Sequence, residues 1–121
     1  MSEWSAADLA AIDGADEVRV AARRPDGTLR AATIVWHVVI DGALFIRSVR
    51  GEDGAWYRAV RRTGTSTIDA GGVHAGVSFG PDDSQDGAID RAYRVKYGHG
   101  SAVQAITSLV ATATTLRIDP Q

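Results

Sequence analysis

Residues 33–72 read TIVWHVVIDGALFIRSVRGEDGAWYRAVRRTGTSTIDAGG, and the fold turns on how they pair. Thr33 to Ile40 is an apolar run rich in β-branched residues, with Trp36 inside it. Asp41-Gly42 follows, a dipeptide suited to a two-residue type I′ turn because both positions need φ > 0. Ala43 to Val49 then returns antiparallel. A tight turn sets Ile40 opposite Ala43, Val38 opposite Phe45 and Trp36 opposite Arg47. On the other face Val39 meets Leu44, His37 meets Ile46 and Val35 meets Ser48. Both faces are largely apolar, so the hairpin is expected to be covered on both sides. The return strand runs into Arg47-Ser48-Val49-Arg50-Gly51 and a helix start at Asp53. A strand end, a basic glycine-containing turn and a helix N-terminus together favour an anion.

Upstream, Ser5 reads as the N-cap of a short helix from Ala6 to Asp13, with Trp4 and Leu9 placed as a hydrophobic staple. Glu17 to Ala22 alternates in polarity as a half-buried strand does. Pro25-Asp26-Gly27 is a turn. Downstream, a helix from Gly54 to about Arg62, capped by Asp53, turns Trp56 and Val60 inward and ends at Gly64. Thr65 to Ala70 and Val73 to Phe79 form a second hairpin about Gly71-Gly72, with Asp69 opposite His74. A helix follows Pro81-Asp82-Asp83-Ser84 and runs to about Tyr97. Ser101 with Gln104 opens a short helix carrying Val103, Ile106 and Val110. Thr114 to Ile118 is a closing strand stopped by Pro120. Hairpin connections dominate, which predicts an antiparallel barrel of about six strands rather than a doubly wound parallel sheet.

The 121 residues suit a single domain, 1–121, with one modest core. Hydrophobic residues make up 45% and charged residues 23%. A net charge of −2 argues against a protein built to grip nucleic acid. The absence of cysteine removes disulfides, thiolate nucleophiles and zinc–thiolate sites. Residues 1–13 lack the pattern of a signal peptide, and no apolar run approaches a membrane span. A soluble, cytoplasmic protein is expected, with no nucleic-acid or membrane partner.

Three groups of residues then carry a resemblance. They are Gly27-Thr28-Leu29-Arg30, Thr33 to Val38 and Asp41 to Ile46; Ser48, Arg50-Gly51 and Trp56-Tyr57-Arg58; and Thr115-Leu116-Arg117-Ile118. Over roughly residues 15–118 the chain resembles the flavin-binding split barrels, which include pyridoxamine-phosphate oxidase-like proteins and deazaflavin-dependent nitroreductases. With its Ala92-Tyr93-x-x-Lys96-Tyr97 helix it is similar to a small bacterial branch of unknown function. The loop from Val49 to Gly54 is shorter and more acidic than in the deazaflavin binders, and Ala59-Val60 replaces their Asn-Leu.

The resemblance implies a mainly β (α+β) split barrel with peripheral helices, working as a homodimer and binding FMN or a deazaflavin coenzyme. Arg47, Ser48, Arg50 and Gly51 would hold the cofactor phosphate. Ile34, Val35, Trp36 and Tyr57 would border its ring, with Trp56 mainly in the core. The implied activity is a flavin- or deazaflavin-dependent oxidoreductase acting on a small molecule. The alternative is a non-catalytic cofactor- or ligand-binding protein of the same fold, or a structural module. No acid–base set stands out. His37 reads as a hydrogen-bonded core histidine, His74 with Asp69 as an exposed ion pair, and His99 as no metal site. Asp82, Asp83 and Asp86 are helix-start charges. Tyr93, Lys96 and Tyr97 share one helix side, lining a substrate opening or packing on a partner subunit.

Overall fold

The computed structural model describes residues 3–121. In chain order the elements are α1 (Ala6–Gly14), β1 (Val18–Ala22), β2 (Thr33–Val35), β3 (His37–Ile40), β4 (Ala43–Ile46) and a 3-10 turn at Gly51–Asp53. After it come α2 (Ala55–Thr63), β5 (Thr65–Ala70), β6 (Val73–Pro81), α3 (Asp86–Tyr97), α4 (Ser101–Ile106), α5 (Leu109–Thr112) and β7 (Leu116–Pro120). The strands form one antiparallel sheet in the order β2-β1-β5-β6-β7-β4-β3. The outermost strands of that order, β2 and β3, are separated in sequence by Trp36 alone. Residues 33–40 therefore close the sheet into a nearly complete barrel, pairing with β1 through their first half and with β4 through their second.

Asp41 and Gly42 have φ of 50° and 78°, the left-handed pair that a type I′ turn requires. Four cross-strand pairs form as the turn dictates, from Ile40–Ala43 to His37–Ile46. There the ladder stops, and the expected Trp36–Arg47 and Val35–Ser48 pairs are absent because Val35 pairs with Val18 instead. A segment that lies beside β4 at one end and β1 at the other has to turn between them, and it turns at Trp36. This divides the expected single strand in two and gives seven strands rather than about six.

Backbone groups released at such a bend need partners. Two tyrosines four residues apart, on the same side of α3, provide them. Tyr93 Oη donates to the Trp36 carbonyl at 3.0 Å, and the His37 N–H donates to Tyr97 Oη at 3.2 Å. The Trp36 and Tyr97 rings stack with centroids 4.1 Å apart and planes 7° from parallel.

The main core fills the barrel and is sealed by Ile12 of α1 and by Tyr57, Ala59 and Val60 of α2. A second cluster (Val38, Ala43, Phe45, Ile89, Tyr93 and Ile106) covers the outer face of β3–β4, as the two-sided apolar pattern requires. Ser5 Oγ accepts the Asp8 N–H at 3.1 Å and caps α1. The second hairpin has the expected register, including Asp69 opposite His74.

Two capping expectations differ from what forms. Asp53 lies inside the 3-10 turn, and α2 starts after Gly54, which offers no side chain to cap it. Ser101 does not cap α4; Ser108 Oγ accepts the Ala111 N–H and starts a separate α5. The closing strand is also shifted. Thr114 and Thr115 turn their hydroxyls to the carbonyls of Ala111 and Thr112, a local bond that competes with strand pairing. Pro120, opposite Val77, is the last residue of β7. Among the described residues, no helix is long and apolar enough to cross a membrane.

Candidate functional site

The bend at Trp36 forms one wall of a cleft of about 320 Å³. Ile34, Val35 and Trp36 come from the bent segment, Val49 and Trp56 from the loop and α2, and Ala102, Ala105 and Ile106 from α4. The small side chains of Ala102 and Ala105, one helical turn apart, leave the space open. Such a volume lies at the lower end for a small-molecule site, and its walls are apolar and aromatic, as such sites usually are.

Three of the four residues expected to border a ring meet here: Ile34, Val35 and Trp36. Tyr57 does not. It is buried in the main core beside Val60, three residues on along the inward face of α2. Trp56, one position back and about 100° round the helix, is half-buried and lines the cleft, so the two aromatic residues exchange their expected places.

The residues expected to hold a phosphate do not converge on one surface. Arg47 reaches the cleft wall, but its guanidinium is fully buried and engaged elsewhere. Nε donates to Thr115 Oγ1 at 3.0 Å, and Nη1 donates to Asp90 Oδ1 at 2.5 Å and to the Ile106 carbonyl at 3.2 Å. Nη2 donates to the Asp86 carbonyl and to Asp86 Oδ1, each at 3.3 Å. No N–H of this fork is left over for a phosphate. Its partners could not be read from nearby sequence, since they lie 39 to 68 residues away. Gly51 is buried at φ 66°, and a Cβ there would run into Val110 of α5, which covers the turn where the anion was expected. Arg50 is exposed.

Ser48 is buried. Its N–H donates to Thr114 Oγ1 at 2.9 Å, but its own Oγ has no partner among the described residues and lies against Gly54, the uncapped start of α2. At that helix end a second cavity of about 230 Å³ is lined by Arg24, Arg30, Thr33, Ala55 and Trp56, among others. It shares Trp56 with the cleft. Arg24 Nη1 donates to the Leu29 carbonyl at 2.9 Å. Among the described residues, neither Arg24 nor Arg30 has a carboxylate within 4.0 Å. Unpaired guanidinium groups beside free helix N–H groups suit an anion. The signal for this cavity was present in the sequence: two arginines flank the Pro25-Asp26-Gly27 turn and precede the bent segment.

The histidines lie away from both cavities. His37 is fully buried with Nε2 2.6 Å from the Ile12 carbonyl, and burial pushes its pKa down to about 4. A contact that short to a carbonyl requires the proton on Nε2, leaving Nδ1 a buried acceptor without a donor among the described residues. Lys96 Nζ donates to the His37 carbonyl at 3.2 Å, and burial lowers the ammonium pKa. His74 and Asp69 form the exposed 2.6 Å pair that the cross-strand register sets up. Tyr93, Lys96 and Tyr97 line neither cavity. They hold the bend at Trp36 and His37, a role their spacing alone could not show.

A family model described as "Uncharacterized protein conserved in bacteria (DUF2255)" matches residues 8–118. The chain belongs to the DUF2255 family. No curated protein is significantly similar to this DUF2255 chain in sequence. Solved structures share its fold at low identity. The heme storage protein HutZ from Vibrio cholerae superposes with a TM-score of 0.70 at 9% identity, over 98% of this chain and 91% of that one. An F420 reductase gives 0.58 at 16% identity, over 93% and 91%. The conserved hypothetical protein Rv2991 from Mycobacterium tuberculosis gives 0.59 at 16% identity, over 97% and 79%. The DUF2255 chain is thus a split barrel, the architecture that its hairpins and its closing-strand motif resemble.

Proposed function

We propose that this protein binds a flavin-type cofactor, FMN or a deazaflavin coenzyme, and serves as an oxidoreductase toward a small molecule. The observation that carries the reading is Trp56, the shared wall of an apolar cleft and an arginine-lined cavity. A planar ring fits against Ile34, Val35, Trp36 and Trp56, and an anionic arm fits Arg24 and Arg30 at the uncapped start of α2. Ser48 Oγ is a further hydroxyl donor at that helix end, and Arg50 an outlying cation. Such a cofactor supplies hydride transfer, while the protein supplies placement and exclusion of water. This suits a cleft whose walls carry no carboxylate, histidine or hydroxyl side chain.

The working form in this reading is a homodimer. The cleft is small for a whole nucleotide, and Ile34 and Val49 on its rim are 54% and 53% exposed. A second copy laid on that rim would bury them and enlarge the site. The cysteine-free composition suits a cytoplasmic setting. The cleft's lack of acid–base groups equally favours a second reading, a carrier that binds the cofactor without turnover.

Calorimetric titration with FMN and with a deazaflavin coenzyme tests binding. Arg30→Ala, or Arg24→Ala, is expected to weaken it about ten- to a hundredfold, the loss of one charge-assisted contact. If neither cofactor binds the wild type below millimolar concentration, the reading fails. Reduction of bound cofactor by a nicotinamide separates oxidoreductase from carrier. Sedimentation showing a stable monomer at micromolar concentration would remove the two-copy site.

A further inference from the structure

Trp36 is the residue on which the barrel seam and the cleft meet. Its ring lines the cleft, and it is also stacked on Tyr97 of α3 with centroids 4.1 Å apart and planes 7° from parallel. Tyr97 is itself tied on both sides of the seam. Its hydroxyl lies 2.8 Å from the Asp16 carbonyl, to which it donates, and accepts the His37 N–H at 3.2 Å. Tyr93, one turn earlier, donates to the Trp36 carbonyl and lies with its ring 5.7 Å from the Arg47 guanidinium. The peptide group that follows Trp36, its carbonyl and the His37 N–H, is thus anchored to one helix, and so is the indole. A Trp at a strand break has no ladder to fix its direction. Here α3 fixes it.

We infer that Tyr97 is a positioning residue of the cleft: it holds the Trp36 indole in place as the wall for a planar ligand, without touching that ligand itself. Tyr97 does not line the cleft, so its influence passes through the stack. An aromatic surface already fixed before binding loses less rotamer freedom when a ring lands on it. This rests on the ring-binding reading above, and two measurements keep their failures apart.

The first needs no ligand. With Trp4→Phe and Trp56→Phe, Trp36 is the sole tryptophan, and acrylamide quenching reports its exposure. Tyr97→Leu, which removes the stack, is expected to raise the quenching constant at least twofold with far-ultraviolet circular dichroism unchanged. Tyr97→Phe, which keeps the ring and loses the hydroxyl, is expected to stay near the parent value. Equal quenching in all three proteins, or equal increases in both variants, overturns the inference.

The second titrates riboflavin and FMN into proteins that retain all their tryptophans. Tyr97→Leu is expected to weaken both probes about tenfold and Tyr97→Phe neither, because the stack acts on the ring and not on the phosphate. Wild-type binding with no loss in Tyr97→Leu overturns the inference while leaving the ring-binding reading intact. Failure of both probes, and of a deazaflavin coenzyme, to bind wild type removes that reading and with it the ligand role of Tyr97, whatever the quenching shows. If Tyr97→Leu fails to fold, Tyr97→Met in the same two measurements replaces it, with the same expected and overturning results.

Discussion

The Tyr93 hydroxyl donates to the Trp36 carbonyl, 3.0 Å away and 57 residues distant in sequence, at the point where residues 33–40 leave one ladder and join another. Tyr93 is fully buried, and that burial pushes its phenol pKa up, so the hydroxyl keeps its proton at any ordinary pH. Tyr93→Phe keeps the ring and strands a carbonyl. Leaving such a group without a partner costs about 1–3 kcal/mol. Urea unfolding should show that loss with an unchanged m value, and an unaltered midpoint would mean that solvent takes over the carbonyl.

Arg47 distinguishes a structural cation from a ligand-binding one. Its fork ties β4 to α3 and to the end of α4 through Asp90, Asp86 and the Ile106 carbonyl. Removing one partner of a buried pair typically costs about 3–5 kcal/mol. Both aspartates keep more than a quarter of their side-chain exposure, so Arg47→Ala should fall at the lower end. The test is a thermal melt of cofactor-free protein. A large drop in Tm assigns Arg47 to the scaffold, whereas a wild-type melt with weakened cofactor binding would return it to the site.

His37 makes stability fall on acidification. In the folded chain its pKa lies near 4, below the 6.5 of a free histidine. Above pH 6.5 both folded and unfolded forms are neutral and the full stability is present. As pH drops below 6.5 the unfolded chain takes up a proton that the folded chain refuses. The loss grows until about pH 4 and reaches roughly 3 kcal/mol. His37→Gln should flatten this part of the pH–stability curve. An equally steep curve in the variant would assign the acid sensitivity to other groups.

Gly51 offers a steric test of the loop. It combines φ 66° with a Cβ direction filled by Val110. Gly51→Ala should destabilise by about 1–3 kcal/mol, through backbone strain and overpacking together. Adding Val110→Ala should recover the packing part and leave the strain. Full recovery would mean that φ contributes nothing, and no loss in the single mutant would mean that α5 moves aside freely.

Much of the barrel was legible because its determinants are local. Asp41-Gly42 fixes its own turn, and period-two alternation fixes which faces of β1, β5 and β6 point inward. The bend was not legible. Nothing in Val35-Trp36-His37 marks a strand that changes neighbours, because the partners that make the change stable, Tyr93 and Tyr97, lie some 60 residues away. The same limit governed the site. Ile34, Val35 and Trp36 follow from the resemblance to the split barrels, and the bent segment brings all three to the cleft. Arg47 could be read only as a cation beside a turn until Asp86 and Asp90 folded onto it. Trp56 and Tyr57 exchange roles through a single step of helical phase, smaller than the usual uncertainty in where a helix begins.

Closure of the sheet by one eight-residue segment also bears on self-association. An open sheet presents two unpaired rims, each a template for another chain's strand. Here both rims belong to residues 33–40, three residues long on one side of Trp36 and four on the other. The longer rim is further interrupted where Tyr97 and Lys96 occupy the His37 peptide groups. Little continuous backbone remains for an incoming strand, so the fastening that shapes the cleft also protects the molecule against adding strands edge to edge.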